Sequence, residues 1–186
     1  MTPPQDEEGY LAARVRTMQT IVLAMLIGSA TALLIFVVIQ DRRPARPADA
    51  APVLTYVGLA FTVLTVALSF VMPALCIAQA RKRIAQGTWQ PATRSGQAIS
   101  VPPTDAGKLL AIYGTALIIG AALLEGPTFF LAIAYYLEGQ LASLVAAGVL
   151  IGALAARMPT QARVGAWLER QLSLIEQERQ GSPQRE

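Results

Sequence analysis

The sequence predicts an all-α polytopic membrane protein: a four-helix transmembrane bundle made of two hairpins, followed by a C-terminal amphipathic helix. Two observations lead to this fold class. Hydrophobic residues make up 54% of the 186 residues, and the mean hydropathy is +0.46. Charged residues amount to only 15%, against roughly 25% in soluble domains, and they are concentrated in short blocks between long uncharged ones.

The chain divides by composition into four parts. Residues 1–16 form a polar helical lead-in, and residues 179–186 form a tail that we expect to be disordered. Between them lie the membrane domain, residues 17–157, and an amphipathic helix, residues 158–178. Within the membrane domain the spans cover about 17–40, 53–80, 108–137 and 141–157.

The first span is free of charge for 24 residues, and about 20 suffice to cross the hydrocarbon. Ala24, Gly28 and Ala32 fall four residues apart, so they form a strip of small side chains that allows another helix to approach closely. Chance in an alanine-rich chain would produce the same strip.

The second span carries Pro73 in its last third, where we expect a kink because proline removes a backbone donor. The basic run Arg81-Lys82-Arg83 follows directly and indicates a membrane exit. The loop after it, residues 84–107, is rich in glycine and proline.

The third span contains Glu125, Gly126 and Pro127 in succession, and the same break in the helix is expected there. A polar turn, Glu138-Gly139-Gln140, leads into the fourth span. In that span Gly148 and Gly152 form a Gly-x-x-x-Gly motif, which Ala156 extends, and this is the clearest helix-packing motif of the chain.

In the last helix apolar residues recur at helical spacing on one side: Val164, Trp167, Leu168, Leu172 and Ile175. We expect this helix either to lie in the membrane interface or to pack on a partner.

Basic residues determine the expected topology. With both termini and the second loop inside, twelve basic residues lie inside and three outside. The net charge of +3 is explained by anionic lipid next to the spans. No aromatic residues alternate with the basic ones, so we expect no nucleic-acid partner.

Glu125 allows two interpretations. If residues 112–135 fill the hydrocarbon, the carboxyl lies close to the bilayer midplane, where the charged form costs roughly 2.5–3.5 kcal/mol on insertion scales, so we expect a protonated side chain. A structural role would be a hydrogen bond to the Leu123 carbonyl, which Pro127 leaves without its donor. A functional role would be proton exchange or cation binding.

A rival geometry ends the third helix at Leu124 and places Glu125 in a water-exposed turn. We disfavour it because residues 109–124 are short for a span, and the fourth helix would then carry Glu138 in mid-membrane.

Several classes of function are not expected. The chain has no histidine and one cysteine, Cys76, which reads as a small buried apolar residue. No nucleophile–base pair, metal cluster or phosphate-binding loop is visible. We therefore expect no enzyme, no cofactor and no metal.

The segment Ala122-Leu123-Leu124-Glu125-Gly126 resembles small, uncharacterised four-span bacterial membrane proteins, which implies a location in the bacterial plasma membrane. Glu125 alone is similar to the intramembrane carboxylate of the proteolipid of rotary ATPases. That family carries the acid on the second helix of its hairpin, whereas Glu125 lies on the first and is followed by a proline.

Two hypotheses about function result. The chain is a non-enzymatic interaction or accessory subunit that packs through small-residue helix faces, with itself or with a membrane protein partner. Alternatively, it is a proton- or cation-handling membrane subunit that uses Glu125.

Overall fold

The computed structural model describes residues 4–40, 51–90, 93–94, 97–98 and 102–181, with the side chains described from Gly9 onward in the first range and not in the two short strands. Five helices account for most of this part of the chain: α1 Pro4–Gln40, α2 Val53–Ala85, α3 Asp105–Glu138, α4 Leu141–Ala156 and α5 Gln161–Gly181. Strands β1 (Thr93–Arg94) and β2 (Gln97–Ala98) form one antiparallel pair between α2 and α3.

Three of the helices are long and apolar enough to cross a membrane: Gly9–Gln40 of α1, all of α2 and all of α3. The chain is therefore a helical, membrane-embedded protein. Helix α4, with 16 residues, is too short to qualify alone, and a fourth candidate span arises only if α4 is joined with α5. Of the four spans that the sequence predicts, three thus coincide with helices that could cross a membrane.

Pro73 lies inside the continuous helix α2, and Pro127 lies inside the continuous helix α3. Because α3 runs on past Leu124 to Glu138, Glu125 and Gly126 are helical, and the geometry that ends the third helix at Leu124 is wrong. The expected disorder of the tail concerns residues 179–186, of which Arg179 to Gly181 belong to α5 and the remainder lies outside the described residues. The proline-rich first loop, residues 41–50, lies outside them as well.

The chain forms two compact units, to which α1, α2 and α3 each contribute. Unit 1 consists of residues 1–18, 73–117 and 159–186, and unit 2 consists of residues 19–72 and 118–158. Charge is distributed unequally. In the described part of unit 2 only Glu125, Glu138 and Arg157 are charged.

Unit 1 is held together by α5. The apolar face of this helix, including the buried Val164 and Ile175, packs against the buried Leu109 and Leu110 of α3 and Ile84 of α2. We expected this face to meet the membrane interface or a partner; it covers the chain's own helices instead.

Two ion pairs fix the far end of α5 in the same unit. Arg81 Nε of α2 donates to Glu178 Oε1 at 2.8 Å, and Arg179 Nη2 donates to Asp105 Oδ2 of α3 at 2.7 Å. Both pairs are partly open to solvent, so packing rather than charge carries most of the attachment.

Unit 2 has its core between α3 and α4, where Leu124, Leu131, Ala147 and Leu150 are buried. Gly58 brings α2 close to α3: a Cβ atom at this position would lie 2.8 Å from Leu131 Cδ2 and 3.0 Å from Phe130 Cδ1. A glycine is therefore needed there for close packing of the two helices.

Candidate functional site

Two polar networks and one isolated carboxyl stand out in unit 2, because every other described residue of this unit is uncharged. The first network surrounds Glu138, the second surrounds Arg157, and the isolated carboxyl is that of Glu125.

Glu138, the last residue of α3, is only 6% exposed. Its Oε1 accepts a hydrogen bond from Leu54 N at 2.7 Å, and its Oε2 accepts from Thr55 N at 2.8 Å and from Thr55 Oγ1 at 2.7 Å. Ser143 Oγ of α4 lies 2.8 Å from Thr55 Oγ1 and extends the network. One carboxyl group thus joins the ends of α2, α3 and α4.

This contact completes the N-terminus of α2. The first N–H groups of a helix have no partner inside the helix, and a side-chain oxygen of the preceding residue usually accepts from them. The preceding residue here is Pro52, which has no such oxygen and supplies only its carbonyl, to Tyr56 N at 3.2 Å. Glu138 of α3 supplies the missing acceptor oxygens to the first N–H groups of α2. Its negative charge at this position also suits the helix dipole.

Arg157, the residue after α4, serves α2 at a second point. Its Nη1 donates to the Ser69 carbonyl oxygen at 3.1 Å, and its Nη2 donates to Ser69 Oγ at 2.9 Å. The guanidinium also lies over the Phe70 ring, 4.9 Å from the ring centroid.

The Ser69 carbonyl needs an outside donor because of Pro73. In a helix this carbonyl would accept from the N–H four residues on, and that residue is the proline, which has none. Arg157 therefore satisfies the break that Pro73 makes in α2. In an apolar environment an unsatisfied carbonyl would cost several kcal/mol, so the contact stabilises an otherwise defective helix.

The sequence suggests the same repair at Pro127, with Glu125 as the donor to the Leu123 carbonyl. Within the described residues no hydrogen bond or ion pair involves the Glu125 carboxyl, so the repair occurs in α2 and not in α3. In α3 the only side-chain bond next to the proline is that of Thr128 Oγ1, which donates to the Leu124 carbonyl at 2.8 Å. Glu125 itself is half-buried, with the exposed Ala122 and Gly126 on one side and the buried Ala121 on the other.

Most of the small residues named from the sequence lie on open surface. A Cβ atom at Gly28, Gly148 or Gly152 would meet none of the described residues within 4 Å, and Ala24 and Ala156 are exposed, while Ala32 is half-buried. The glycine that does bring two helices of unit 2 together is Gly58, which the sequence motifs did not indicate. The described residues contain no group of three or more His, Cys, Asp or Glu side chains that could hold a metal ion.

Sequence reasoning also missed Glu138 and Arg157, although signals for both exist. Helix α2 begins without a capping side chain, and Pro73 leaves the Ser69 carbonyl without a donor. An acceptor for the first N–H groups and a donor for this carbonyl must therefore come from other helices. A comparison of the chain with models of protein families, with curated proteins and with solved structures finds no match.

Proposed function

We propose that this chain is a non-enzymatic interaction or accessory subunit of a membrane assembly. The observation that carries this proposal is a contrast within unit 2. Glu138 and Arg157 are occupied by contacts inside the chain, whereas a Cβ atom at Gly28, Gly148 or Gly152 would meet none of the described residues within 4 Å. Small residues on an open helix face are suited to close contact with another membrane helix.

The helix lengths support a bilayer around unit 2. The parts of α1, α2 and α3 in this unit, residues 19–40, 53–72 and 118–138, contain 22, 20 and 21 residues. At 1.5 Å per residue each measures about 30 Å, the thickness of the hydrocarbon layer. Helix α4, about 24 Å long by the same rise, would be a short fourth span that ends at Arg157.

The surrounding membrane is proposed to be the bacterial plasma membrane, with both termini in the cytoplasm. The excess of twelve basic residues over three on the expected inner side supports the orientation. Single cysteines at Gln140 and at Glu176, each in a Cys76→Ala background, test it. Only the cysteine at position 140 should react with a membrane-impermeant thiol reagent added to intact cells, and the opposite pattern would reverse the orientation.

Assembly is tested by blocking the α4 strip. Gly148→Leu combined with Gly152→Leu fills the strip without touching the core, because a Cβ atom at either position would meet none of the described side chains within 4 Å. We expect the mass of the complex in mild detergent to fall towards that of the single chain. Val145→Leu, which alters an exposed residue of the same helix, is the matched control. An unchanged mass in the double variant would argue against this surface.

The alternative function is proton or cation handling by Glu125. It is supported by the half-buried carboxyl, which has no hydrogen bond within the described residues and lies in an otherwise apolar part of α3. Reconstituted protein should show ion flux, or carbodiimide labelling of Glu125 that increases in acid. Glu125→Gln should abolish both, whereas Glu169→Gln on the exposed face of α5 should not. Full flux in Glu125→Gln would exclude this role.

A further inference from the structure

Glu125 and Arg157 lie at the same height in unit 2. Thr55, Ser143 and Glu138 are joined by hydrogen bonds and define one level. Arg157 and its partner Ser69 are each 14 residues farther along their helices, which is about 21 Å. Glu125 is 13 residues from Glu138 on α3, which runs the opposite way, and so lies about 20 Å from that level.

Glu125 lies on the side of α3 that faces α1. It precedes Tyr136 by three turns and shares its side of the helix to within about 20°. The Tyr136 ring contacts Phe36 of α1, with the ring centroids 5.4 Å apart. Glu125 therefore borders the groove between α1 and α3, where the exposed Ala122 follows towards the outside.

The small-residue strip of α1 borders the same groove. The contacts near Phe36 and near Gln40, whose Nε2 lies 3.0 Å from a Cβ built on Gly139, show that α1 and α3 run in the same direction. Positions 36, 32 and 28 lie one turn apart on α1, and each lies slightly further round the helix than the one before. In two parallel right-handed helices this shift places Ala32 and then Gly28 towards the outer side of the groove. Ala24, which is small and exposed, lies at the height of Glu125. A helix of another molecule therefore has room to reach the carboxyl there.

Arg157 is accessible at another surface. It is half-buried at the α2–α4 contact and lies over Phe70, which is 67% exposed. Two of its N–H groups serve Ser69. The remaining donors of the guanidinium have no partner among the described residues, so the group can donate hydrogen bonds to a carboxylate without releasing Ser69.

We infer that the chain self-associates head to tail, with Glu125 in the α1–α3 groove of one copy paired with Arg157 over Phe70 on the α2–α4 side of the next. Charge complementarity at one membrane depth identifies the partner as a second copy. Acidic and basic side chains within a membrane pair with one another, because each alone is costly there. Two different surfaces meet, so the contact repeats from copy to copy and closes into a ring or continues as a row.

This inference rests on the proposed function and adds to it the surface, the partner and the residues that pair. It is tested with cysteines at the same depth, Ala24→Cys and Phe70→Cys, in a Cys76→Ala background. Both positions are exposed. We expect oxidation in vesicles to link chains that carry both cysteines into a ladder, and to link a mixture of the two single variants into dimers. Either single variant alone should give no cross-linked product.

The contribution of the ion pair to self-association is measured by energy transfer between labelled copies. The transfer is followed while added lipid dilutes the copies in the vesicle membrane. Glu125→Gln should weaken self-association about tenfold, since a polar contact between membrane helices contributes enough for that factor. Its helicity and its unfolding in detergent should match those of the unsubstituted chain, because Glu125 makes no contact that either depends on. Glu169→Gln is the control.

Two results would overturn the inference: a cross-link of Phe70→Cys with itself, which indicates a two-fold contact, or equal self-association of Glu125→Gln and the unsubstituted chain. If assembly still depended on Gly148 and Gly152, the proposed function would survive either result. A chain that associated neither with itself nor with another membrane protein in native membranes would remove the proposed function and the inference together.

Discussion

Replacing Glu138 by alanine should destabilise unit 2 more than any change at Glu125, although Glu125 is the acid that the sequence emphasises. The Glu138 carboxyl accepts three hydrogen bonds, from Leu54 N, Thr55 N and Thr55 Oγ1, at 2.7–2.8 Å. Its removal leaves two N–H groups at the start of α2 without an acceptor, in a place that is almost closed to water.

The expected loss in the free energy of unfolding follows from the number of hydrogen bonds that Glu138 makes. Polar contacts between membrane helices average about 0.6 kcal/mol, and a net hydrogen bond to a charged group reaches about 1.5 kcal/mol or more. Three such bonds give a loss of about 2–4 kcal/mol in the free energy of unfolding. Replacing an N-terminal cap in a soluble helix costs about 0.5–2 kcal/mol, so the expected loss for Glu138→Ala is at or above the upper end of that range.

The assay is unfolding by sodium dodecyl sulfate in mixed micelles, followed by circular dichroism. Glu125→Ala is the matched control, since it removes an acid from the same helix but no hydrogen bond, and its loss should be below about 0.5 kcal/mol. A double-mutant cycle of Glu138→Ala with Thr55→Val should give a coupling energy of about 1 kcal/mol, which isolates the hydroxyl bond. A loss below about 1 kcal/mol for Glu138→Ala would refute the argument that this carboxyl caps α2.

The same unfolding assay checks three further predictions. Arg157→Ala should cost about 2 kcal/mol by leaving the Ser69 carbonyl without a donor, and Arg157→Lys should recover part of the loss; equal losses in the two variants would contradict this role. Gly58→Leu should cost at least about 2 kcal/mol because the side chain would collide with α3, while Gly28→Leu should change the stability of the single chain by less than about 0.5 kcal/mol; the reverse order would refute the packing. Gly139→Ala should cost about 1 kcal/mol, since this turn residue has a φ of +68°, and an unchanged stability would show that the turn relaxes.

The sequence predicts where the apolar helices lie but not how their faces meet. Expected spans at 53–80 and 108–137 correspond to helices Val53–Ala85 and Asp105–Glu138, because a run of apolar residues is a local property that hydropathy reads directly. Helix contacts depend on which side of one helix faces another. Gly58 stands in no repeated small-residue motif and still brings α2 against α3. Gly148 and Gly152 form a motif, yet a Cβ atom at either position would meet none of the described residues within 4 Å.

The assignment of polar residues failed for a related reason. In the sequence Glu125 stands out because it interrupts an apolar run, whereas Glu138 resembles an ordinary turn residue next to a glycine. Position in the sequence does not show that the turn after α3 lies beside the start of α2. Arg157 is likewise, in the sequence, one of the basic residues that predict the topology, and its distance from Ser69 along the chain hides the contact between them.

Helix α2 cannot complete its own backbone hydrogen bonds. Helix α2 lacks a capping side chain at Pro52 and a donor for the Ser69 carbonyl, and these defects lie on the helix that has no charged residue before Arg81. In an apolar surrounding both must be satisfied by another part of the protein, because water is absent. The hairpin of α3 and α4 supplies both groups, Glu138 before the turn and Arg157 after the second helix, so α2 depends on that hairpin for its backbone hydrogen bonds as well as for packing. Loss of either group should therefore loosen α2 while leaving the charges of α5 and its contacts in unit 1 in place.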